Sequence, residues 1–326
     1  MKITVLGAGA WGTALGRILA NRKHAVTIWD YFPETAETIN CTHYNERYLP
    51  GIKLPDGLRG ESDATKSVAG AELVVVASVS KGFRSATKCL GAFSGIVVSV
   101  TKGIEFESGK TMTDILTENA PQSRIVAMSG PTLATEVAKG IPTAIVAAST
   151  DTTAAQTVQA LFHDSAFRVY TSNDVHGVEL GGALKNVIAI GAGVCDGLGF
   201  GDNSKAALVT RAVAEMRRLG VACGAKAETF TGLSGLGDLM VTCFSKLSRN
   251  RGFGERLGKG EKAEAIVASM TAVAEGYPNA RSAHELARKH KVQAPIIEQV
   301  HAMLYEGKDV RKAVQDLTAR ESKAED

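Results

Sequence analysis

The chain has 326 residues, 44% of them hydrophobic and 22% charged, with a formal net charge of +3. That length allows about two domains, and the composition is that of an ordinary globular protein. A near-neutral balance spread along the chain leaves no basic footprint for nucleic acid, and no apolar run reaches the roughly 18 residues that a membrane span needs.

The first element is an apolar run, Ile3-Thr4-Val5-Leu6, read as a strand. It leads into Gly7-Ala8-Gly9-Ala10-Trp11-Gly12, which opens an amphipathic stretch ending near Arg22. Strand, glycine turn and helix in that order form a dinucleotide-binding fingerprint. Gly7 permits the tight turn, Gly9 lets the backbone approach a diphosphate, and Gly12 allows close helix–strand packing. Ala10 and Trp11 begin the helix, whose unpaired N–H groups and positive dipole end suit the diphosphate. A second strand, Ala25–Trp29, ends at Asp30, placed to accept the ribose hydroxyls of the adenosine half. Residues 40–58 break the pattern and read as an excursion over the surface.

Apolar runs then recur at 72–78, 96–100, 125–128, 144–148 and 168–170. Most are continuous Val/Ile/Ala runs, as expected of strands buried on both faces of a largely parallel sheet. After about Asn173 helical spacing takes over. Ala206, Val209, Val213, Met216 and Leu219 mark one apolar helix face. A glycine-rich loop, Gly232–Gly237, interrupts, and further helices are expected at 262–274, 279–290, 295–305 and 309–319. The tail from Glu321 is charged and expected to fray. The expected fold is α/β, a doubly wound sheet domain over 1–180 followed by an all-helical domain over 181–326, with a soft boundary between 172 and 190.

The five cysteines (Cys41, Cys89, Cys195, Cys223 and Cys243) are widely spaced and form no C-x-x-C. They read as reduced thiols, with neither a disulfide framework nor a metal site expected. Met1-Lys2 leads straight into the first strand, with no signal-peptide pattern before it.

A nicotinamide enzyme that reduces a carbonyl needs a proton donor and a clamp for the rest of the substrate. The seven histidines sit mostly in polar or helix-surface contexts. His176 is the least dismissible, but no acid is spaced to pair with it. Lysines fit better. Lys185 lies in the apolar helical stretch Glu179–Ile190, one turn from Gly181 and Gly182. Burial or a second cation would lower its pKa into a usable range; the alternative is a lysine snorkelling on an amphipathic helix. Lys102 follows the strand 96–100, and Gly130 and Thr132 follow the next, at the carboxyl edge where such sheets present their sites. Asp238 stands at the lip of the glycine loop, able to steady an ammonium or to cap a helix. Ser248-Arg249-Asn250-Arg251 collects forked donors suited to phosphate.

Together these blocks closely resemble the bacterial soluble NAD(P)-dependent glycerol-3-phosphate dehydrogenases. The resemblance runs from Gly7 to about Ala319 through Gly-Ala-Gly-Ala-Trp-Gly-Thr-Ala-Leu (7–15), Arg-Tyr-Leu-Pro-Gly (47–51), Lys-Gly-Ile-Glu (102–105) and Ser-Gly-Pro-Thr (129–132). It continues through Glu-Val-Ala (136–138), Gly-Ala-Leu-Lys-Asn-Val (182–187), Gly-Leu-Gly-Asp-Leu (235–239), Ser-Arg-Asn-Arg (248–251) and Val-Ala-Glu-Gly (273–276).

The resemblance implies a Rossmann-type first domain and interconversion of dihydroxyacetone phosphate and sn-glycerol 3-phosphate, supplying glycerophospholipids. It implies that Lys185 exchanges the proton with Asp238 in its network, and that Lys102 contacts substrate and cofactor. Gly130 and Thr132 would line the substrate site, and Ser248, Arg249 and Asn250 would hold the phosphate. Trp11, Ala134, Arg249, Val273 and Glu275 would border the dinucleotide. A cytoplasmic homodimer is expected. Three departures stand out: Thr132 replaces the usual Ser, Val79-Ser80-Lys81 stands where Val-Pro-Ser is common, and Trp29-Asp30-Tyr31 lacks the arginine of NADPH-using members. A carboxylate accepts a 2′-hydroxyl and repels a 2′-phosphate, so NADH is expected to be favoured.

Two rivals remain. A β-hydroxyacid dehydrogenase would carry Asn or Asp four residues after the lysine, where this chain has Ala189. A non-catalytic NAD(H) sensor would need neither Lys185 nor Asp238.

Overall fold

The computed structural model describes residues 1–270, 272–321 and 324. The first half builds ten strands: β1 (Lys2–Leu6), β2 (Ala25–Trp29), β3 (Tyr44–Asn45), β4 (Leu49–Lys53), β5 (Leu58–Glu61), β6 (Leu73–Val76), β7 (Ile96–Ser99), β8 (Arg124–Ser129), β9 (Thr143–Ala148) and β10 (Phe167–Ser172). Eight of them form one sheet in the order β10-β9-β8-β7-β6-β1-β2-β5. Neighbours are parallel except β8 and β9, which run antiparallel. The order reverses beside β1, between β6 and β2, which opens the crevice where doubly wound sheets bind ligands.

The strand-forming logic is burial on both faces. Leu73–Val76 and Ile96–Ser99 are buried at every position. β5 was not expected from the sequence, because Leu58-Arg59-Gly60-Glu61 buries only Leu58 and sits at the sheet edge. The expected surface excursion at 40–58 needs correction. It holds the β3–β4 hairpin and buries Asn45, Leu49, Leu54 and Leu58. Asn45 Nδ2 donates to the Ala8 carbonyl at 2.7 Å and to Thr13 Oγ1 at 2.8 Å, tying the hairpin to the glycine turn.

That turn has the geometry its glycines require. Gly7 sits at φ 118°, and a Cβ there would lie 2.7 Å from the Ala77 carbonyl oxygen. A Cβ on Gly12 would collide with the Gly7 carbonyl oxygen, whereas one on Gly9 meets nothing within 4 Å. The turn is therefore crowded toward the sheet and open toward the crevice.

Beyond Ser172 the chain is helical. The central helix, Val175–Gly197, is 23 residues long, and by length and composition it is apolar enough to cross a membrane. Every residue from Gly177 to Cys195 is nevertheless buried, wrapped by helices Asp202–Ala222, Asp238–Phe244, Arg249–Gly258, Gly276–Lys289 and Pro295–Tyr305. Position 180 falls inside this helix, and the change from sheet to helices comes at residues 173–174. The face around Val209, Met216 and Leu219 packs into the helical core, while Ala206 is exposed. Of the helix expected at 262–274, Ala263–Ser269 is helical and Thr271 lies outside the described residues. Helices Val310–Thr318, Pro295–Tyr305 and Gly276–Lys289 follow the expected pattern, and most of the charged tail lies outside the described residues.

Candidate active site

The carboxyl ends of β7 and β8 face the middle of the central helix, and there the predicted residues meet. Lys185 is 7% exposed and Asp238 only 1%. Close approach is possible because Gly181 and Gly182 lack side chains. A Cβ on Gly182 would lie 2.5 Å from Ser129 Oγ and 3.3 Å from Lys102 Cγ. The lysine does not snorkel.

Asp238 bridges two lysines. Its Oδ1 lies 3.0 Å from Lys185 Nζ and its Oδ2 2.6 Å from Lys102 Nζ. Both expectations for its setting change. Residues 233–237 wind as a π-helical turn that runs directly into helix Asp238–Phe244, so Asp238 is an interior helical residue, not the lip of a loop. Its carboxylate makes no cap hydrogen bond and serves the lysines instead.

A donor inventory separates the two lysines. An ammonium has three N–H donors. Lys102 Nζ bonds the Gly130 carbonyl at 2.9 Å, Thr132 Oγ1 at 3.2 Å and Asp238 at 2.6 Å, which occupies all three. Lys185 Nζ donates to Thr242 Oγ1 at 2.7 Å and faces Asp238, which leaves one N–H. Burial lowers the Lys185 pKa to about 8; the nearby Lys102 charge adds to the fall and Asp238 offsets part of it. Thr242 was missed from the sequence. It follows Asp238 by one helical turn, and its hydroxyl donates to the Asp238 carbonyl at 2.6 Å while accepting from Lys185. The i, i+4 spacing from Asp238 was the available signal.

The Ser248–Arg251 cluster begins helix Arg249–Gly258. Ser248 Oγ accepts from the Arg251 N–H at 3.2 Å and caps the helix, keeping its own hydrogen to donate. Asn250 is buried: one amide hydrogen goes to Asn186 Oδ1 at 2.8 Å, and its oxygen accepts from the Gly276 N–H at 2.9 Å, which leaves one amide hydrogen. Arg249 is exposed, with no hydrogen bond or ion pair to any described residue. Arg251 points elsewhere, pairing with Asp196 at 2.7 Å and Glu255 at 3.2 Å.

The crevice above the glycine turn fits a dinucleotide. The first-turn N–H groups of helix Ala10–Asn21 carry no side-chain cap. Trp11 Nε1 is buried and has no partner among the described residues. Asp30 is held beside the turn, Oδ2 accepting from the Ala8 N–H at 3.1 Å and Oδ1 from the Phe32 N–H at 3.0 Å. Ala134 is partly buried against the sheet core and Val273 is exposed. Glu275 accepts from the Ser80 N–H at 2.9 Å and hydroxyl at 2.5 Å, joining the helical half to the loop after β6. Burial pushes its carboxyl above the usual range. His176 is exposed, as a solvated helix residue would be.

The arrangement offers a buried acid with a spare proton, a carboxylate that holds it, an unpaired guanidinium and a diphosphate cradle. Comparison with known proteins agrees. Residues 2–155 match the family described as NAD-dependent glycerol-3-phosphate dehydrogenase N-terminus, and residues 174–315 match its C-terminus. A glycerol-3-phosphate dehydrogenase [NAD(P)+] of Anaeromyxobacter dehalogenans is 48% identical over 332 residues, covering 100% of both chains. One from Chlorobium phaeobacteroides is 44% identical, covering 100% of this chain and 99% of that one. The crystal structure of glycerol-3-phosphate dehydrogenase from Coxiella burnetii superimposes with a TM-score of 0.95 at 37% identity, covering 98% of this chain and 99% of that one. Family matches on both halves and these full-length relatives agree with the geometry: this chain belongs to the NAD-dependent glycerol-3-phosphate dehydrogenase family.

Proposed function

We propose that the protein reduces dihydroxyacetone phosphate to sn-glycerol 3-phosphate, reversibly, using NAD(P)H. The observation that carries this reading is the Lys185 ammonium, buried, near-neutral in pKa and holding one unused N–H beside Asp238. When bound, the nicotinamide supplies the hydride to C2. Lys185 donates a proton to the oxygen that becomes the hydroxyl, and Asp238 and Thr242 hold its nitrogen in place. Lys102 adds positive charge on the side where negative charge develops. Arg249 meets the phosphate, with Ser248 and the remaining amide hydrogen of Asn250 beside it. Gly130 and Thr132 border the substrate through the Lys102 network. Ala10, Trp11, Ala134, Val273 and Glu275 line the cofactor side.

We further propose that NADH is favoured over NADPH, because the buried Asp30 carboxylate faces the adenosine end. The product would feed glycerophospholipid synthesis in the cytoplasm. Met240, Phe244 and Leu247 lie exposed on the helical half and support a homodimer. The helical domain is taken to begin with the central helix at Val175. Initial rates of dihydroxyacetone phosphate reduction with each cofactor test the reading. Activity favouring NADH is expected; activity favouring NADPH would overturn the Asp30 argument, and none with either would overturn the assignment.

A further inference from the structure

Lys102 sits on the sheet half, yet the backbone that carries it is gripped by the helical half. Asn279, 1% exposed on helix Gly276–Lys289, aims its carboxamide at that backbone, with a longer 3.5 Å bond from Nδ2 to the Ala183 carbonyl of the central helix. Its Nδ2 donates to the Lys102 carbonyl at 3.1 Å and its Oδ1 accepts from the Ile104 N–H at 3.3 Å. The pair of bonds imitates one rung of a β-ladder, made by a side chain. Ser282, on the same helix, donates to the Ile104 carbonyl at 2.9 Å. Beside this grip, Ser80 packs so tightly on Gly103 that a Cβ there would collide with the Ser80 Cβ and stand 3.4 Å from Asn279 Oδ1. Segment 102–104 is thereby held by both halves of the molecule, and the Lys102 side chain leaves it toward Asp238.

We propose that Asn279 is a positioning residue for the reaction: its carboxamide fixes the Lys102 backbone, and so sets how close the Lys102 ammonium stands to Asp238 and Lys185. The inference rests on the reading of Lys102 as part of the active site. A side chain that holds a reacting constellation can matter greatly without touching substrate, since a misplacement of about 1 Å can cost as much as ~100-fold in rate. The neighbouring grip by Asn186 Nδ2 on the same carbonyl is longer, 3.4 Å, and does not reach Ile104.

The test compares Asn279→Ala, Lys102→Ala and the double variant in dihydroxyacetone phosphate reduction across pH. The titratable or charged groups facing Lys185 are Asp238, Lys102 and the buried Cys243 thiol. Letting Lys102 drift removes a charge that lowers the Lys185 pKa and leaves Asp238 to Lys185. Asn279→Ala should therefore lower kcat/KM by ~10- to 100-fold and move the basic limb of its pH profile upward. The double variant should be no worse than Lys102→Ala alone. Wild-type rates in Asn279→Ala would overturn the proposal. So would a loss with an unmoved limb and a double variant equal to the product of the two singles, which is what a purely structural role gives. If Asn279→Ala does not fold, Asn279→Leu keeps about the shape, adds no charge and loses the bonds to Lys102 and Ile104, and the same two readouts apply. Wild-type kinetics in Lys102→Ala would instead remove the reading of Lys102 itself, and this proposal with it.

Discussion

Replacing Asp238 by Asn removes one charge from the centre of the site while keeping its shape. Lys185 Nζ lies 3.0 Å from the carboxylate, and Lys102 Nζ lies 2.6 Å away. At an effective dielectric of ~20, a unit pair about 3 Å apart attracts by roughly 5 kcal/mol, or about 4 pKa units. Relaxation takes back a share of this. Even half takes the Lys185 pKa from about 8 to ~6. The sign follows from the geometry: the stabilising anion is gone, while the Lys102 cation and the desolvation remain.

An acid must be protonated to act, so Asp238→Asn should move the basic limb of kcat/KM for dihydroxyacetone phosphate reduction down by about 2 pH units. At pH 7.5 the protonated fraction of Lys185, and with it the rate, should fall by roughly 25-fold. Two unpaired buried ammonium groups also cost stability, about 3–5 kcal/mol if both stay charged. A thermal melt at each pH separates that effect from catalysis. The experiment is a kcat/KM profile with saturating NADH, wild type against variant. A limb that stays near pH 8, or a variant within about threefold of wild type at pH 7.5, would refute the assignment of Asp238 and Lys185 as a coupled pair.

Arg249→Ala should raise KM for dihydroxyacetone phosphate by ~10- to 100-fold, the equivalent of a charge-assisted hydrogen bond of about 1.5–3 kcal/mol, with a smaller change in kcat. Steady-state kinetics check it, and an unchanged KM would move the phosphate clamp elsewhere. Glu215 is buried beneath helix Pro295–Tyr305, accepting from the Ile296 N–H at 3.0 Å and the Ile297 N–H at 2.8 Å, and burial pushes its carboxyl up to about 7. Its folded pKa exceeds the unfolded one, so its contribution is fully present below about pH 4.3 and is lost as pH rises through about 7. The unfolding free energy should thus drop by up to ~3 kcal/mol between pH 4.5 and 7.5 on this account. Urea melts should show that slope flattened in Glu215→Gln.

The parallel sheet was legible because buried strands must be apolar on both faces, as Leu73–Val76 and Ile96–Ser99 are. β5 was not, since an edge strand needs only one buried anchor, Leu58. The antiparallel β8–β9 pairing was hidden for another reason: both strands are apolar whichever way they run. In the site, Lys185 and Lys102 stood out as charges in apolar or strand-end settings. Asp238 was recognised as a partner but misplaced, because glycines at 232, 235 and 237 read as a loop and instead permit a π-helical turn. Asn279 carried no sequence pattern of its own, and Thr242 offered only its i, i+4 spacing from Asp238. A single polar residue inside a helix discloses its role only when its acceptors are seen, and those of Asn279 lie about 175 residues away in the chain.

The central claim is that Lys185 supplies the proton in a dihydroxyacetone phosphate reductase. The direct measurement is single-turnover and steady-state oxidation of NADH on adding dihydroxyacetone phosphate to wild type and to Lys185→Ala, with NADH binding followed separately by fluorescence. The account predicts turnover by the wild type, loss of turnover in the variant, and NADH affinity near that of the wild type. Turnover retained in Lys185→Ala, or lost only because NADH no longer binds, would contradict it.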